Sequence, residues 1–270
     1  MPGSPPAVPS PVSKGRKPRI TRERLDRALV ARGLAKSRDE AARLILAGAV
    51  RVAGARVDKQ ATLVPMDADI KVIASSPAYV SRAGGKLAAA LDQFSPDVRG
   101  LTAMDVGVST GGFTDCLLQR GVRRVYAVDV GYGQLDWRLR QDSRVVVIER
   151  TNIRHLDPSR IHDSMDLIVI DVSFISLTLV IPCVMRYLTA GGMIIALVKP
   201  QFEVGKGQVG RGGIVRDDAL RHKATEKVVA CAGELGLDLV GLLDSPIHGQ
   251  KGNRELLATF RRKSGVGGPA

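Results

Sequence analysis

Four strand-length apolar stretches of this 270-residue chain end in residues able to do chemistry. The first runs into Asp105-Val106-Gly107-Val108-Ser109-Thr110-Gly111-Gly112-Phe113-Thr114-Asp115, where a strand gives way to a helix. Glycines there let backbone approach a ligand, and the helix start offers unpaired N–H donors. The pattern is not GxGxxG and lacks the lysine of a P-loop. An acid at the strand end disfavours phosphate and favours an amino group. The second stretch, Val125-Tyr126-Ala127-Val128, ends in Asp129, about 20 residues on, where a carboxylate accepts the two hydroxyls of a ribose. A nucleoside that carries an amino group satisfies both, and S-adenosyl-L-methionine, with the amino group of its methionine tail, is the cofactor these residues suggest. The third, Leu167–Ile170, ends in Asp171, and the fourth, Ile194–Val198, ends in Lys199. A lysine closing a buried strand needs a partner, and Asp171 at the end of the adjacent strand is the natural one.

The elements that must position these residues alternate. Strands are expected at 101–107, 123–129, 144–148, 165–171 and 192–198, and helices at 112–120, 134–141, 176–188 and 217–235. Such alternation predicts a doubly wound α/β sheet, with ligands in the crevice at the strands' carboxyl ends. Two last strands, 237–244 and 254–262, are joined only by a loop and should be antiparallel. A further helix, Arg82–Phe94, should open this region with Ser81 as its cap. A parallel sheet closed by an antiparallel last strand is the class I, Rossmann-like methyltransferase arrangement. Trp137 reads as core or pocket wall.

Charge divides the chain. Lys+Arg is 40 against 27 Asp+Glu, a net +13, and the first 80 residues hold 15 Lys/Arg against 7 Asp/Glu. Residues 1–19, rich in Pro, Ser and Gly, are expected to be a disordered basic tail. Order should begin near Thr21, read as a helix cap before Leu25 and Leu29. Gly33 stops that helix, Ser37 caps a second, and Val50-Arg51-Val52 with Arg56-Val57 flank Gly54 as a hairpin, before a strand at Ile70–Ile73. Basic residues cluster on this small α+β module, including Arg24, Lys36, Arg38, Arg43 and Lys59, as expected of a nucleic-acid binder.

The module resembles an S4 RNA-binding domain through Arg24-Leu25-Asp26, Gly33–Arg38, Ala41–Gly48 and Val50-Arg51-Val52. The whole chain resembles the TlyA-type ribosomal RNA 2′-O-ribose methyltransferases, in which an S4 domain is fused to an FtsJ-like methyltransferase domain. The segments that carry this are Tyr79–Arg82 through Lys86-Leu87, Asp105–Asp115, Asp166–Leu177 and Lys199–Glu203. Some members carry Arg-x-Trp-Val at the linker, where this chain has Pro77-Ala78-Tyr79-Val80. The resemblance implies a catalytic tetrad Lys86, Asp171, Lys199 and Glu255. It implies a tail at 1–19, an S4-like domain at 20–74, a linker at 75–80, a methyltransferase domain at 81–263 and a tail at 264–270. S-adenosyl-L-methionine would be held by Asp105, Gly107, Ser109, Thr110, Gly111, Gly112, Phe113, Asp129, Asn152 and Asp171. RNA would be met by Arg24, Lys36, Arg38, Arg43, Lys59 and Arg82, with ribosomal RNA or a ribosomal subunit as partner. The implied reaction is 2′-O-methylation of a ribose, with cytidine as the expected nucleoside.

Three other readings remain. Relatives of this family are often labelled haemolysins, but no apolar run reaches the roughly 20 residues of a membrane span. A catalytically silent RNA-binding assembly factor would leave the strand-end motifs idle. A base methyltransferase would want an Asn/Asp-Pro-Pro-Tyr/Phe element where Asp171-Val172-Ser173-Phe174 stands. Cys116, Cys183 and Cys231 are far apart and the four histidines show no ligand spacing, so no metal site is expected. A cytoplasmic monomer is the expectation.

Overall fold

The computed structural model describes residues 21–46, 48–72, 78–249 and 252–264; the expected tail at 1–19, residues 265–270 of the expected tail at 264–270, Ile73, and the linker residues Ser75, Ser76 and Pro77 lie outside them. The chain separates into two compact units, Met1–Ser75 and Ser76–Ala270.

In the small unit, β1 (Arg22–Arg24) leads into α1 (Leu25–Ala31) and α2 (Arg38–Leu46), followed by β2 (Val50–Val52), β3 (Ala55–Arg56), β4 (Leu63–Pro65) and β5 (Ile70–Val72). The helix expected from Thr21 starts at Leu25 instead. Residues 22–24 are drawn into antiparallel pairing with 63–65, Glu23 opposite Val64. Ser37 does cap α2, its hydroxyl accepting from the Glu40 amide at 3.2 Å. The hairpin around Gly54 pairs Arg51 with Arg56, and β5 lies on the other side of β2. Leu25, Leu29, Ile45 and Val50 are fully buried between helices and strands, so the apolar periodicity of α1 and α2 is what holds the unit together.

The large unit runs α3 (Ala83–Phe94), β6 (Thr102–Val106), α4 (Gly112–Gln119), β7 (Arg124–Val128), α5 (Trp137–Gln141), β8 (Val145–Ile148), β9 (Met165–Ile170), α6 (Leu177–Val184), β10 (Leu188–Val198), α7 (Pro200–Glu203), α8 (Asp218–Glu234), β11 (Leu237–Asp244) and β12 (Leu256–Arg262). One seven-stranded sheet has the order β11-β12-β10-β9-β6-β7-β8. β12 is antiparallel to both its neighbours, while the pairs β10–β9, β9–β6, β6–β7 and β7–β8 are parallel. The central strands are apolar on both faces, as expected where helices cover both sides. Met104, Ile168, Val180 and Ile194 belong to the core on one face, Leu87, Leu117, Val169 and Ile195 to that on the other. Strand order reverses at β6, between β7 and β9. The crevice beyond the carboxyl ends of these strands is therefore the topological switch point.

Two local expectations fail. Ser81 does not cap α3 with its side chain; its hydroxyl lies where a Cβ on Gly112 would fall, within 2.2 Å. Gly112 is thus needed for α3 to pack on α4. Trp137 is 66% exposed, because α5 is short and its first residue turns to solvent while Leu139 supplies the buried contact.

Candidate active site and nucleic-acid interface

Asp105, Asp129, Asp171 and Lys199 all reach the same sheet edge. Gly107, at φ +89°, turns the chain out of β6 so closely past β9 that a Cβ would lie 2.5 Å from the Asp171 carbonyl oxygen. The Asp171 amide donates to the Val106 carbonyl at 2.9 Å, fixing the two strand ends against each other.

Asp105 is fully buried. One of its oxygens accepts from the Thr114 hydroxyl at 2.7 Å; the other has no hydrogen-bond partner among the described residues. Burial pushes its carboxyl up to about 7, against the pull of the Thr114 hydrogen bond and with the nearby charge of Asp171 adding to the rise. Asp129 just beyond β7 accepts from the backbone amides of Ser109 at 2.7 Å and Gly131 at 2.6 Å. The glycine turn is thereby closed onto the acid. Beside it opens a small cleft lined by Val108, Ala127, Leu135, Val147, Gln134 and Glu149 among others. Apolar walls with a few oriented polar groups suit a flat heterocycle joined to a ribose. These residues therefore fit an adenosyl cofactor. Thr110 and Gly111 complete the turn, and Asn152 caps the short turn after β8, its side-chain oxygen accepting from the Arg154 amide at 3.1 Å. The Phe113 ring is 2% exposed and belongs to the core, because α4 turns that face inward, so its backbone at the start of α4 is what lies at the turn. Glu149, ending β8 as the other acids end their strands, lines the cleft without having been anticipated.

Lys86 lies one turn into α3, 8% exposed, and its Nζ is 2.5 Å from Oε2 of Glu255, itself 5% exposed. Lys199, held extended before Pro200, donates to Ser173 Oγ at 3.0 Å and lies 2.6 Å from Asp171 Oδ1. The pairs adjoin: Val198 is opposite Leu256 in the β10–β12 register, so the chain leaves that last pair at Lys199 on one strand and Glu255 on the other. Asn253 holds the approach to Glu255 by donating to the Gly213 carbonyl at 2.8 Å and accepting from the Val215 amide at 2.9 Å. Phe174, three residues past Asp171, sits at φ +65° with 92% exposure, its ring 5.2 Å from that of Phe202. A bulky residue in that conformation is strained, and such strain gathers at functional sites. At the start of the unit, the Val80 amide donates to Asp115 at 2.7 Å, so residues 78–80 are docked on α4. Arg82 is partly buried just before α3. Burial pushes the Cys116 thiol up to about 11. No three His, Cys, Asp or Glu side chains among the described residues gather as a metal site.

In the small unit, Asp26 is 3% exposed and gathers two arginines. Arg24 makes two bonds to it, each 3.0 Å, and Arg38 one at 3.0 Å. These hydrogen bonds hold the Asp26 carboxyl well below the usual carboxylate range, against the cost of its burial. Lys36, Arg43 and Lys59 are exposed on the same unit.

A doubly wound sheet with one antiparallel strand, and a glycine turn closed onto a strand-end acid at its carboxyl edge, defines a class I methyltransferase fold. Residues 79–262 match the FtsJ-like methyltransferases and residues 23–70 the S4 domain, and the chain belongs to the FtsJ-like methyltransferase family. It is similar to the 16S/23S rRNA (cytidine-2′-O)-methyltransferase TlyA of Mycobacterium tuberculosis, 49% identical over 90% of this chain and 91% of that protein. It is also similar to Hemolysin A of Brachyspira hyodysenteriae, 42% identical over 88% of this chain and 99% of that one. A solved structure described as a hemolysin from Streptococcus thermophilus superposes with a TM-score of 0.71 at 42% identity, covering 91% of this chain and 90% of that chain. No helix among the described residues is long and apolar enough to cross a membrane.

Proposed function

We propose that this protein methylates the ribose 2′-oxygen of a cytidine in ribosomal RNA, with S-adenosyl-L-methionine as donor. The observation that carries the reading is the adjoining pair of lysine–carboxylate contacts, 2.5 and 2.6 Å, at the sheet edge that also carries Asp129 and the Gly107–Gly111 turn. The 49% identical relative named for this reaction supports the substrate. When bound, S-adenosylmethionine supplies a methyl group already activated for transfer. Asp129 would hold its ribose, the Gly107–Gly111 turn its amino-acid end, and Val108, Leu135 and Val147 its base.

The remaining task falls to the protein: placing a 2′-hydroxyl and managing its proton. Lys199 Nζ contacts the 2′-oxygen and steadies the negative charge that grows there as its proton passes to water and the oxygen takes the methyl group, whose bond to the sulfonium sulfur breaks. Asp171 orients that ammonium through the 2.6 Å contact, and Ser173 limits its swing. Lys86, held by Glu255, supplies a second donor from the α3 side. Phe174 presents an exposed aromatic face to the target base. Arg24 and Arg38 bind phosphates.

The direct test is to incubate the protein and labelled cofactor with ribosomal RNA and with isolated subunits, then map methylated nucleosides by mass spectrometry. The reading expects 2′-O-methylcytidine. Label on a base, or none with either substrate, overturns it.

A further inference from the structure

Asp171 stands at the head of a segment, Val172–Ile175, that belongs to no helix or strand and contains the strained Phe174. Lys199 stands at the head of another short turn, α7. An ion pair between two such turns keeps its length only if both are fastened elsewhere. At its near end the Asp171 segment is fastened by the bond to Val106. Its far end, Ser176–Leu177, is fastened by a buried carboxylate.

That carboxylate belongs to Glu203, four positions after Lys199 and 5% exposed. Its Oε1 accepts from the Leu177 amide at 2.8 Å and its Oε2 from the Ser176 hydroxyl at 2.5 Å. Lys227 of α8 donates to the Glu203 carbonyl at 3.1 Å and holds its own charge 3.9 Å from Oε2. One buried carboxylate thus bridges the turn that begins at Lys199 to the end of the segment that begins at Asp171. Both its oxygens are committed to the second segment, and its backbone to α8.

We propose that Glu203 is a positioning residue that sets the Asp171–Lys199 separation by clamping these two segments together. It touches neither reactant. The proposal rests on the reading that Lys199 and Asp171 act at the ribose hydroxyl. Catalytic groups must be held to within about 0.5 Å of their productive geometry, so a slack clamp should be felt in the chemical step first. The cofactor cleft, built from β7, β8 and the Gly107–Gly111 turn, includes no residue of the clamp.

The test combines steady-state methylation of ribosomal RNA, calorimetric cofactor binding and thermal melting of the full chain. Glu203→Ala should lower kcat about tenfold or more while cofactor affinity stays within about twofold. Glu203→Gln keeps an acceptor for the Leu177 amide and a partner for the Ser176 hydroxyl, and should restore kcat to within about threefold of the parent. The proposal is overturned if Glu203→Ala keeps its kcat, if Glu203→Gln is as impaired as Glu203→Ala, or if cofactor affinity falls in step with kcat. Should Glu203→Ala not fold, Ser176→Ala removes one of the two bonds and should cost about threefold or more in kcat; an unchanged rate overturns the proposal equally. Lys199→Ala, run alongside, separates the two layers. Turnover surviving in that variant refutes the functional reading itself, whereas an inactive Lys199→Ala beside a fully active Glu203→Ala refutes only the clamp.

Discussion

The two units use the same kinds of side chain in opposite ways. In the small unit one buried carboxylate, Asp26, serves two guanidiniums whose side chains are 40% and 58% exposed. The cluster has an excess positive charge and shows it to water. In the large unit each lysine has its own carboxylate, at 10% and 4% exposure for Lys86 and Glu255 and 11% and 17% for Lys199 and Asp171. Those pairs are neutral in sum and shielded. An exposed excess charge attracts a polyanion at a distance and is screened by salt. A shielded, pre-oriented pair attracts nothing at a distance but acts strongly on a polar group placed beside it, where water does not compensate. On the function proposed, the difference would separate docking on RNA from chemistry on one hydroxyl, and each half can be broken alone.

The largest effect belongs to the shielded side. Lys199→Ala should lower kcat by about a thousandfold or more, with cofactor affinity by calorimetry changed less than about threefold, since the residue lies outside the cleft walls. Comparable loss in both would move Lys199 from chemistry to cofactor binding. Lys86→Met should cost less, about a hundredfold, because the second lysine supports the hydroxyl without closing the main contact. Glu255→Ala leaves Lys86 buried without a partner, so its melting temperature should drop below that of the double variant Lys86→Met/Glu255→Ala, in which neither charge is left alone. Equal melting temperatures would mean that water reaches the Lys86 ammonium freely.

How much of this was legible in the sequence follows from how each contact is built. Asp129, Asp171 and Lys199 stood out because a buried apolar strand that stops on a charge has its edge at a ligand crevice. The sheet followed from strand–helix alternation, and the antiparallel last strands from the short link between them. Lys86 and Glu255 had no local signal. They are 169 positions apart and meet only after α3 packs beside β12, so only the family resemblance named them. Glu203 was visible as part of the Lys199–Glu203 motif, but its partner at Ser176 is set by how two turns stack. The strand at Arg22–Arg24 was hidden because three charged residues make no apolar alternation, and its pairing with 63–65 outweighs a weak helix cap at Thr21. Trp137 misled for the opposite reason: a large apolar residue is presumed buried, yet a five-residue helix has too little inner face to bury it.

On the exposed side the effects are smaller and carry a salt signature. Replacing Arg24 and Arg38 together by Ala should weaken RNA binding by about tenfold at 100 mM salt and flatten the log Kd against log salt slope by about 1.5. The loss should appear in KM for RNA more than in kcat. An unchanged slope would mean that these two arginines meet no phosphate. Asp26→Asn should leave both arginines charged but unfastened and cost the small unit about 1–2 kcal/mol, seen as an earlier first transition in calorimetry. The sign with pH follows from its lowered carboxyl: the stabilisation is present above the ordinary carboxylate range and lost as pH falls through and below it. Acid should therefore loosen the parent's small unit more than that of Asp26→Asn.

The subtlest contrast concerns Asp105, whose shift runs the other way. Its carboxyl titrates near 7 in the folded chain against an ordinary 3.8. Below about 4 both states are protonated and the group has no effect on stability relative to that reference. Between about 4 and 7 the unfolded chain gives up this proton while the folded chain keeps it, so stability falls as pH rises. Above about 7 the buried carboxylate is ionised and the cost is constant. Asp105→Asn removes the titration and keeps an oxygen for the Thr114 hydroxyl. The melting temperature of Asp105→Asn minus that of the parent should therefore climb by a few degrees from pH 4.5 to 7 and then level off. Cofactor should reduce that climb if it offers a donor to the unpartnered oxygen, because a hydrogen bond to the charged form lowers the cost of ionising it. A difference flat across pH 4.5–7 would show instead that the buried acid is ionised throughout that range.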